Sequence, residues 1–514
     1  MGIPAMTRAR PDVARCPSAS PSAALPAEGG SKAFHRGVLA PPPSAGRGSL
    51  RSSGGMPWRA NAGSRHRMAG LSLIEMMIAL VMALIVAAGI ITVFTSTSSS
   101  NKVQQQMATL QEEGRFAIHS LRTDLANANG VYCSNSGGKA APAGSGLYLD
   151  PFSSPTVYSE TPLSFPDDTL SSATMPDPTG PYSLPSAVFM RGYDCTATAP
   201  CTPSLASLAS APDPIPAMGK AVGDRVVGAD VLTIRYLKPG SGWAITPATD
   251  AGSHLTVTGT TTTVTINPIT SAGEPPISNF AGGLAMLANC SNAGVYAVST
   301  SGNTLTVLGS GSPGNYAQPN DITGSAAPRV FDFGNDFQTV TYYLRVVCTD
   351  DSNPCDHTTG ELVKDVNGNP QPLVRGVERL NFFYGVINGN GDTEFLTAGE
   401  VDTGIDAAGN SLTCPPGISS TPPVGIPGGM PFDPAHGCLW RAVQTIEVHV
   451  LMDGQTPLYT LTPQEMNYIY TPDGGAAPTP PSAHAIQPDT DQGFPKQLLR
   501  REFTTLVSLR NFNP

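Results

Sequence analysis

Between Leu71 and Phe94 the chain runs for 24 residues, GLSLIEMMIALVMALIVAAGIITVF when read from Gly70, with one charge, Glu75. About 20 apolar residues suffice to cross a bilayer as a helix. An ionised side chain at the middle of such a helix is disfavoured by roughly 2.5–3.5 kcal/mol on insertion scales, and by less near its end. A plain anchor has no use for a carboxylate, so Glu75 marks a function. The chain is anchored by one helix, and whatever else it folds into stands outside the membrane.

The segments before the span carry no structural pattern. Residues 1–55 are rich in Ser, Pro, Gly, Ala and Arg, without helical or strand period, and such composition cannot bury a core. They read as a disordered or mis-annotated extension, with translation expected to begin at Met56 or Met68. Residues 56–70 form a short basic leader with Arg59, Arg65 and Arg67. Positive charge before the span, and none until Lys102 after it, puts the N-terminus in the cytoplasm and the remainder outside. Of 29 basic and 39 acidic residues in the chain, residues 1–70 hold 10 and 2, so the rest carries 19 − 37 = −18. An acidic exported body gives no support to nucleic-acid binding.

Gly70-Leu71-Ser72-Leu73-Ile74-Glu75 after a basic leader resembles the class III signal of type IV prepilins and pseudopilins. The resemblance implies that a membrane prepilin peptidase cuts after Gly70 and methylates the amine of Leu71. It also implies a filament-assembly role for Glu75, which stands at the family's fifth mature position. A physical reason suits that role: a carboxylate buried among packed helices needs a partner, and the free amine of Leu71 on a neighbouring subunit would set the axial register.

From Leu71 no proline occurs before Asn129. Apolar or small residues recur at Val103, Met107, Leu110, Gly114, Ile118, Leu121, Leu125 and Ala128, one stripe of a helix. The sequence therefore predicts a stem helix over 71–129, transmembrane over 71–94, stopped by Asn129-Gly130. The Thr95–Lys102 run and Gly114 are expected points of melting or bending. Residues 130–229, with 13 prolines between Pro151 and Pro216, read as a loop region of the head with few strands. Residues 230–514 read as a β-rich head, with strands expected at Val231–Leu237, Leu255–Ile266, Thr304–Leu308, Gln338–Val347, Val377–Val386, Val443–Leu451 and Phe503–Leu509. The fold class is α+β: a pilin-like lollipop, with a long N-terminal helix packed on a β-rich, disulfide-containing head with long loops.

Nine cysteines occur, and loss of Cys16 with the leader leaves eight: Cys133, Cys195, Cys201, Cys290, Cys348, Cys355, Cys414 and Cys438. An even number in an exported head points to disulfides. Close spacing favours Cys195–Cys201 and Cys348–Cys355, then Cys414–Cys438 and Cys133–Cys290, among the 105 connectivities open to eight cysteines. Cys348, Cys355 and His357 could alternatively begin a zinc site, for which no fourth ligand is evident.

Further motifs narrow the resemblance to one subfamily. Glu112-Glu113-Gly114-Arg115-Phe116-Ala117-Ile118 with Leu121, Asp124 and Leu125 is similar to the stem of PilW-type minor pilins. The same holds for Asp230–Tyr236, Cys290-Ser291 before Val295–Val298, Gly376–Gly385 (GVERLNFFYG), Trp440 and Arg500–Thr505. The resemblance implies a non-enzymatic minor pilin, in the priming or tip complex of a type IV pilus. Its implied partners are prepilin peptidase, the other minor pilins and the major pilin, the inner-membrane assembly platform and a tip adhesin, with connections to twitching motility and cell adhesion. The protein would sit in the inner membrane, head in the periplasm, and then in the pilus at the cell surface. Two other readings share the stem: a type II secretion pseudopilin, and an adhesin head anchored by a pilin stem, whose binding surface would be 134–220.

Asn388, Asn390, Asp392 and Glu394 place oxygen-bearing side chains at alternate positions, as calcium loops do. The EF-hand pattern fails at Thr393 and Gly399, and Asn-Gly pairs also make hairpin turns; no other cofactor is expected. Gly309–Gly314 matches a dinucleotide fingerprint by letter only, since no helix follows. His119 and His449 read as surface residues, and Arg375, Arg379 and Arg441 as partners of head carboxylates.

Overall fold

The computed structural model describes residues 72–130, 132, 155–166, 169, 174–196, 201–205, 215–289, 293–319, 328–350, 355–387, 390–414, 426, 438–459, 461–466, 468–474 and 486–509. The chain divides into two units, Met1–Met77 and Ile78–Pro514. The first contributes only Ser72–Met77 to the described residues, and the second holds the head.

One helix, α1, spans Leu73–Leu125, 53 residues or about 80 Å at 1.5 Å per residue. It does not melt at the Thr/Ser run. Hydroxyls in this half return to the helix's own carbonyls, Thr92 Oγ1 to Gly89 O at 2.8 Å and Thr95 Oγ1 to Thr92 O at 3.0 Å, so they do not compete for an alternative backbone path. Its end lies a turn earlier than the sequence predicts. After Leu125 a turn leads to Asn129 in the left-handed region (φ 61°). The Gly130 carbonyl then accepts Leu237 N–H at 2.9 Å, so the chain leaves the helix where it meets a strand.

Among the described residues the head contains three sheets. A four-stranded antiparallel sheet runs Thr393–Leu396, Val377–Ile387, Val443–Asp453, Arg500–Ser508. A seven-stranded sheet runs Asn369–Arg375, Thr358–Val366, Phe337–Cys348, Arg225–Val226, Met218–Gly219, with Val231–Leu237 also on Phe337–Cys348 and Met190–Tyr193 beyond it. A nine-stranded sheet is ordered Trp243–Ala244, Arg329–Asp332, Leu284–Ala288, Ala293–Ser301, Thr304–Val307, Thr261–Thr265, His254–Thr258, with Thr156–Val157 and Tyr182–Ser183 branching from Ala293–Ser301. The last two strands of that order correct the single strand expected over Leu255–Ile266. Gly259 adopts φ 62° and turns the segment into a hairpin in which Thr258 faces Thr261.

The hairpin Thr358–Val366 to Asn369–Arg375 is not among the strands expected from the sequence. Asn367 and Gly368 both have positive φ, 55° and 80°, the requirement of the type I′ turn that Asn-Gly favours. Pro370 and Pro372 lie in its outer strand, at the sheet edge, where a missing N–H costs no ladder bond.

Strand pairing and packing cross the expected boundary at 229/230. Met190–Tyr193 pairs with Val231–Leu237, Met190 opposite Ile234. Val157, Leu163, Phe165, Tyr182, Leu184, Val188 and Phe189 join one core with Leu344, Val377, Phe382, Trp440 and Val448. The proline-rich region folds onto the sheets because its apolar residues, though sparse, are large. A second core, with Trp243, Leu287, Tyr296 and Leu305, belongs to the nine-stranded sheet.

Candidate assembly site along the stem helix

The N-terminal turn of α1 is closed by a capping box. Ser72 N–H donates to Glu75 Oε2 at 3.0 Å, and Glu75 N–H donates to Ser72 Oγ at 3.3 Å, the reciprocal arrangement that satisfies two orphan donors of a helix start. The sequence signal was present, Ser three residues before Glu, but the intramembrane reading of Glu75 overshadowed it. Gly70 and Leu71 lie outside the described residues. Beyond Glu75 every large apolar residue as far as Phe94 is exposed, Leu73 at 79% and Phe94 at 72%. The apolar helix has the length and composition to cross a membrane.

From Leu110 onward the helix is buried on one side. Leu110, Leu121 and Leu125 of the expected stripe are fully buried in the main core, and so is Ala117 in place of Ile118, which is only partly buried. The helix runs unbroken through Gly114, which forms a packing notch. A Cβ there would approach the Phe503 ring to 2.4 Å, so Phe503 of the last strand rests directly on the helix backbone.

Polar clamps fix that seam. Asp124, buried on α1, pairs with Lys364 Nζ at 2.5 Å and accepts hydrogen bonds from Tyr236 Oη at 3.3 Å and from Tyr342 Oη. Burial, reinforced by this carboxylate, raises both tyrosines above the ordinary phenol range. One turn of the head reaches the helix as well. Gln455 Nε2 donates to Glu113 Oε2 at 2.8 Å, and its backbone N–H donates to Asp453 Oδ1 at 2.7 Å. Burial raises Glu113, opposed by that Gln455 bond. Gln455, at φ 57°, gave no sequence signal. Asp124 was part of the stem motif, but its partners are more than 100 residues away.

Behind the seam lies an ion pair with no exposed side-chain surface on either residue. Arg500 donates through Nε to Glu378 Oε2 at 2.7 Å and through Nη2 to Oε1 at 2.8 Å. Its remaining donors reach the carbonyls of Lys496 (2.8 Å), Leu498 (3.1 Å) and Pro495 (2.7 Å). Burial pushes Glu378 up to about 7, against the lowering effect of Arg500. Asp230 forms a third buried node: its two oxygens accept Cys195 N–H and Phe382 N–H, each at 3.0 Å. Burial pushes it up to about 8. Thus GVERLNFFYG meets the closing Arg500–Thr505 segment through Glu378, and meets the Asp230–Tyr236 segment through Phe382.

Other sequence-selected residues fall as follows. Cys195 bonds Cys201 and Cys348 bonds Cys355, so those thiols are not zinc ligands; His357 Nε2 instead donates to Gln455 O at 2.9 Å. Cys414 is also disulfide-bonded; Cys133, Cys290 and the side chain of Cys438 lie outside the described residues. Asn390, Asp392 and Glu394 belong to the hairpin joining Val377–Ile387 to Thr393–Leu396, and Asn388 lies outside the described residues. Among the described residues no three His, Cys, Asp or Glu side chains gather as a metal site. Residues 309–314 form a closed loop, with Asn315 N–H donating to Gly309 O at 2.9 Å.

His119 is exposed on α1. His449 is not a surface residue. It is 4% exposed and lies 2.6 Å from Glu502 Oε1 and 3.2 Å from Glu447 Oε1, because Tyr470 covers its strand edge-on. Burial opposes ionisation of Glu502, yet hydrogen bonds from His449 and Thr471 hold it below its ordinary value. Arg375 pairs with Glu361 at 3.3 Å; Arg379 lies over the ring of Tyr470 and its charge lowers both Asp230 and Glu378, and Arg441 lies over the ring of Phe189.

No curated protein matches the chain. Among solved structures, a type IV-like pilin from Thermus thermophilus is similar at 14% identity, covering 45% of this chain and 84% of that one, with a TM-score of 0.14; a superposition this slight carries no argument. The family type IV pilus-assembly protein W matches residues 355–511, the stretch that holds the four-stranded sheet, Gln455 and the Glu378–Arg500 pair. The match of residues 355–511 to that family, behind an apolar helix of membrane-spanning length, supports a role related to the type IV pilus.

Proposed function

We propose that the chain is a minor pilin-like subunit, working in the priming or tip complex of a type IV pilus. The observation that carries this reading is the division of α1 by burial: apolar and wholly exposed as far as Phe94, buried against the head from Leu110 onward. The exposed half needs a bilayer before assembly and neighbouring helices after it. Its head would stand in the periplasm, with the N-terminus in the cytoplasm. Prepilin peptidase would cut after Gly70 and methylate Leu71, and the assembly platform, the major pilin and other minor pilins would then receive the subunit.

Glu75 would serve in two states. In the single chain the Ser72–Glu75 capping box gives the carboxylate local donors, which lowers the cost of holding it at the membrane edge. In the filament a neighbouring subunit's Leu71 amine would pair with it. The experiment is N-terminal sequencing with intact mass on protein from membranes and from sheared filaments, beside a Glu75→Ala variant. Methylated Leu71 as first residue, with Glu75→Ala cleaved normally but missing from filaments, is the expected result. An intact leader, or normal incorporation of the variant, overturns the reading.

A further inference from the structure

A buried carboxylate lies at the link between the two larger sheets. The strand Arg329–Asp332 belongs to the nine-stranded sheet, and Phe337–Cys348 to the seven-stranded one. Only the turn Phe333–Asp336 separates them. Asp332 is 1% exposed. Its Oδ2 is fully occupied, accepting Ala281 N–H at 2.8 Å, Gly282 N–H at 3.3 Å and Asn335 Nδ2 at 2.7 Å. Its Oδ1 is buried without a hydrogen-bond partner among the described residues, which is rare for a buried acceptor.

The space beside Oδ1 is kept open by glycines. A Cβ on Gly282 would come within 2.6 Å of Oδ1, and one on Gly334 would lie 3.7 Å from it. Neither glycine has positive φ, so the backbone does not require them; the slot does. A second carboxylate stands one helical step away. Asp336 Oδ2 accepts Asp332 N–H at 3.1 Å. Burial, with the Asp332 charge adding, pushes Asp336 up to about 6, and Lys238 lowers it. Gly334, Asn335 and Lys238 are exposed, so water reaches the turn.

We propose that Asp332 Oδ1 and the Asp336 carboxylate hold a divalent cation of the calcium type at this link. An all-oxygen donor set suits a hard cation and offers nothing to zinc or copper. Calcium tolerates irregular geometry and completes its shell with carbonyls and water, whereas magnesium demands a near-ideal octahedron. Bound there, the ion satisfies the orphaned oxygen, relieves repulsion between the two carboxylates and stiffens the junction of the sheets. Lys238 is the competing cation. The site lies outside residues 355–511 and is separate from the Asn388–Glu394 turn.

The test is calcium titration of the full chain in detergent micelles, followed by calorimetry and thermal unfolding. Calcium at a hundredfold excess over Kd raises Tm by several degrees. Asp336→Asn weakens binding roughly tenfold or more. Lys238→Met tightens it, which keeps the idea testable if Asp336→Asn does not fold. Asp392→Asn leaves binding unchanged. Absence of both heat and Tm shift overturns the proposal. So does a calcium response that survives Asp336→Asn and disappears in Asp392→Asn, or one indifferent to Lys238→Met.

Discussion

Arg500→Met removes the only side chain that hydrogen-bonds the Glu378 carboxylate among the described residues. The substitution keeps a long apolar stem in a site with no exposure. It forfeits two charge-assisted bonds at 2.7 and 2.8 Å and leaves the carbonyls of Pro495, Lys496 and Leu498 without their guanidinium donors. Breaking a buried pair from one side costs about 3–5 kcal/mol, because the remaining charge has no compensation. Glu378→Met/Arg500→Met together leaves no buried charge, and should recover at least roughly 2 kcal/mol relative to the sum of the two single substitutions.

The defect should also depend on pH, with a determined sign. Glu378 is already raised, to about 7, by burial against the lowering effect of Arg500. Without Arg500 its folded pKa moves further above the unfolded value, as does that of Asp453, which Arg500 also lowers. A carboxyl raised in the folded state contributes stability below its unfolded pKa, and that contribution is lost as pH rises through the folded pKa. The cost of Arg500→Met must therefore be smallest near pH 5 and largest near pH 8, with a slope of up to about 1.4 kcal/mol per pH unit for each proton involved. Urea unfolding of the detergent-solubilised chain reads this through Trp440, which is fully buried and edge-on to Tyr384. A loss under about 1 kcal/mol, or an equal loss at both pH values, refutes the reasoning.

Gly114→Val should destabilise the stem–head seam by about 1–3 kcal/mol, and Phe503→Ala should recover part of that loss in a double-mutant cycle; strict additivity would show that the two do not touch. Asp124→Asn, which discharges the partner of Lys364, should cost about 1–3 kcal/mol and expose the stem to limited proteolysis near Leu125, whereas an unchanged digestion pattern argues against the clamp. Asp230, pushed up to about 8 by burial, contributes stability that is lost as pH rises through 8. Tm should thus fall between pH 7 and 9, and Asp230→Asn should flatten that fall while lowering Tm at neutral pH.

The stem was legible because its signals are local. An unbroken apolar run, the absence of proline and a stripe at Leu110, Leu121 and Leu125 act within a few turns, and the structure places that stripe in the core. Strands with alternating patterns, such as Val443–Asp453, were legible for the same reason. Thr358–Val366 was not, because both its faces are largely buried and the alternation that identifies a half-exposed strand is lost. The described residues between 155 and 193 escaped because proline and serine dominate this stretch, although nine of its large apolar side chains lie in the core. Gly114 was misread because helix propensity counts glycine as a defect, and only Phe503, nearly 400 residues later, shows it as a notch.

Asp124, Asp230 and Glu378 are unfavourable places for charge, and the cost bears on what the head has to do. Each joins elements distant in sequence: the stem to three strands of the seven-stranded sheet, the Cys195–Cys201 loop to the four-stranded sheet, and the last strand to its neighbour but one. Apolar contacts alone would hold the stem on the head but would tolerate a slip of one helical turn, since Leu110, Ala117, Leu121 and Leu125 offer near-equivalent faces. A carboxylate with directed donors does not tolerate it, because a slip would leave it buried and unpaired. On the proposed role of Glu75, in which it pairs with a neighbouring subunit, the depth of that residue along the stem would have to be fixed. The Asp124–Lys364 and Glu113–Gln455 contacts fix the stem side of that distance. Shifting the stem by one turn through insertion of four residues between Thr95 and Lys102 should therefore spare folding of the head, as read by Trp440 fluorescence, yet abolish incorporation into filaments. Normal incorporation of that insertion would show that the register is not used.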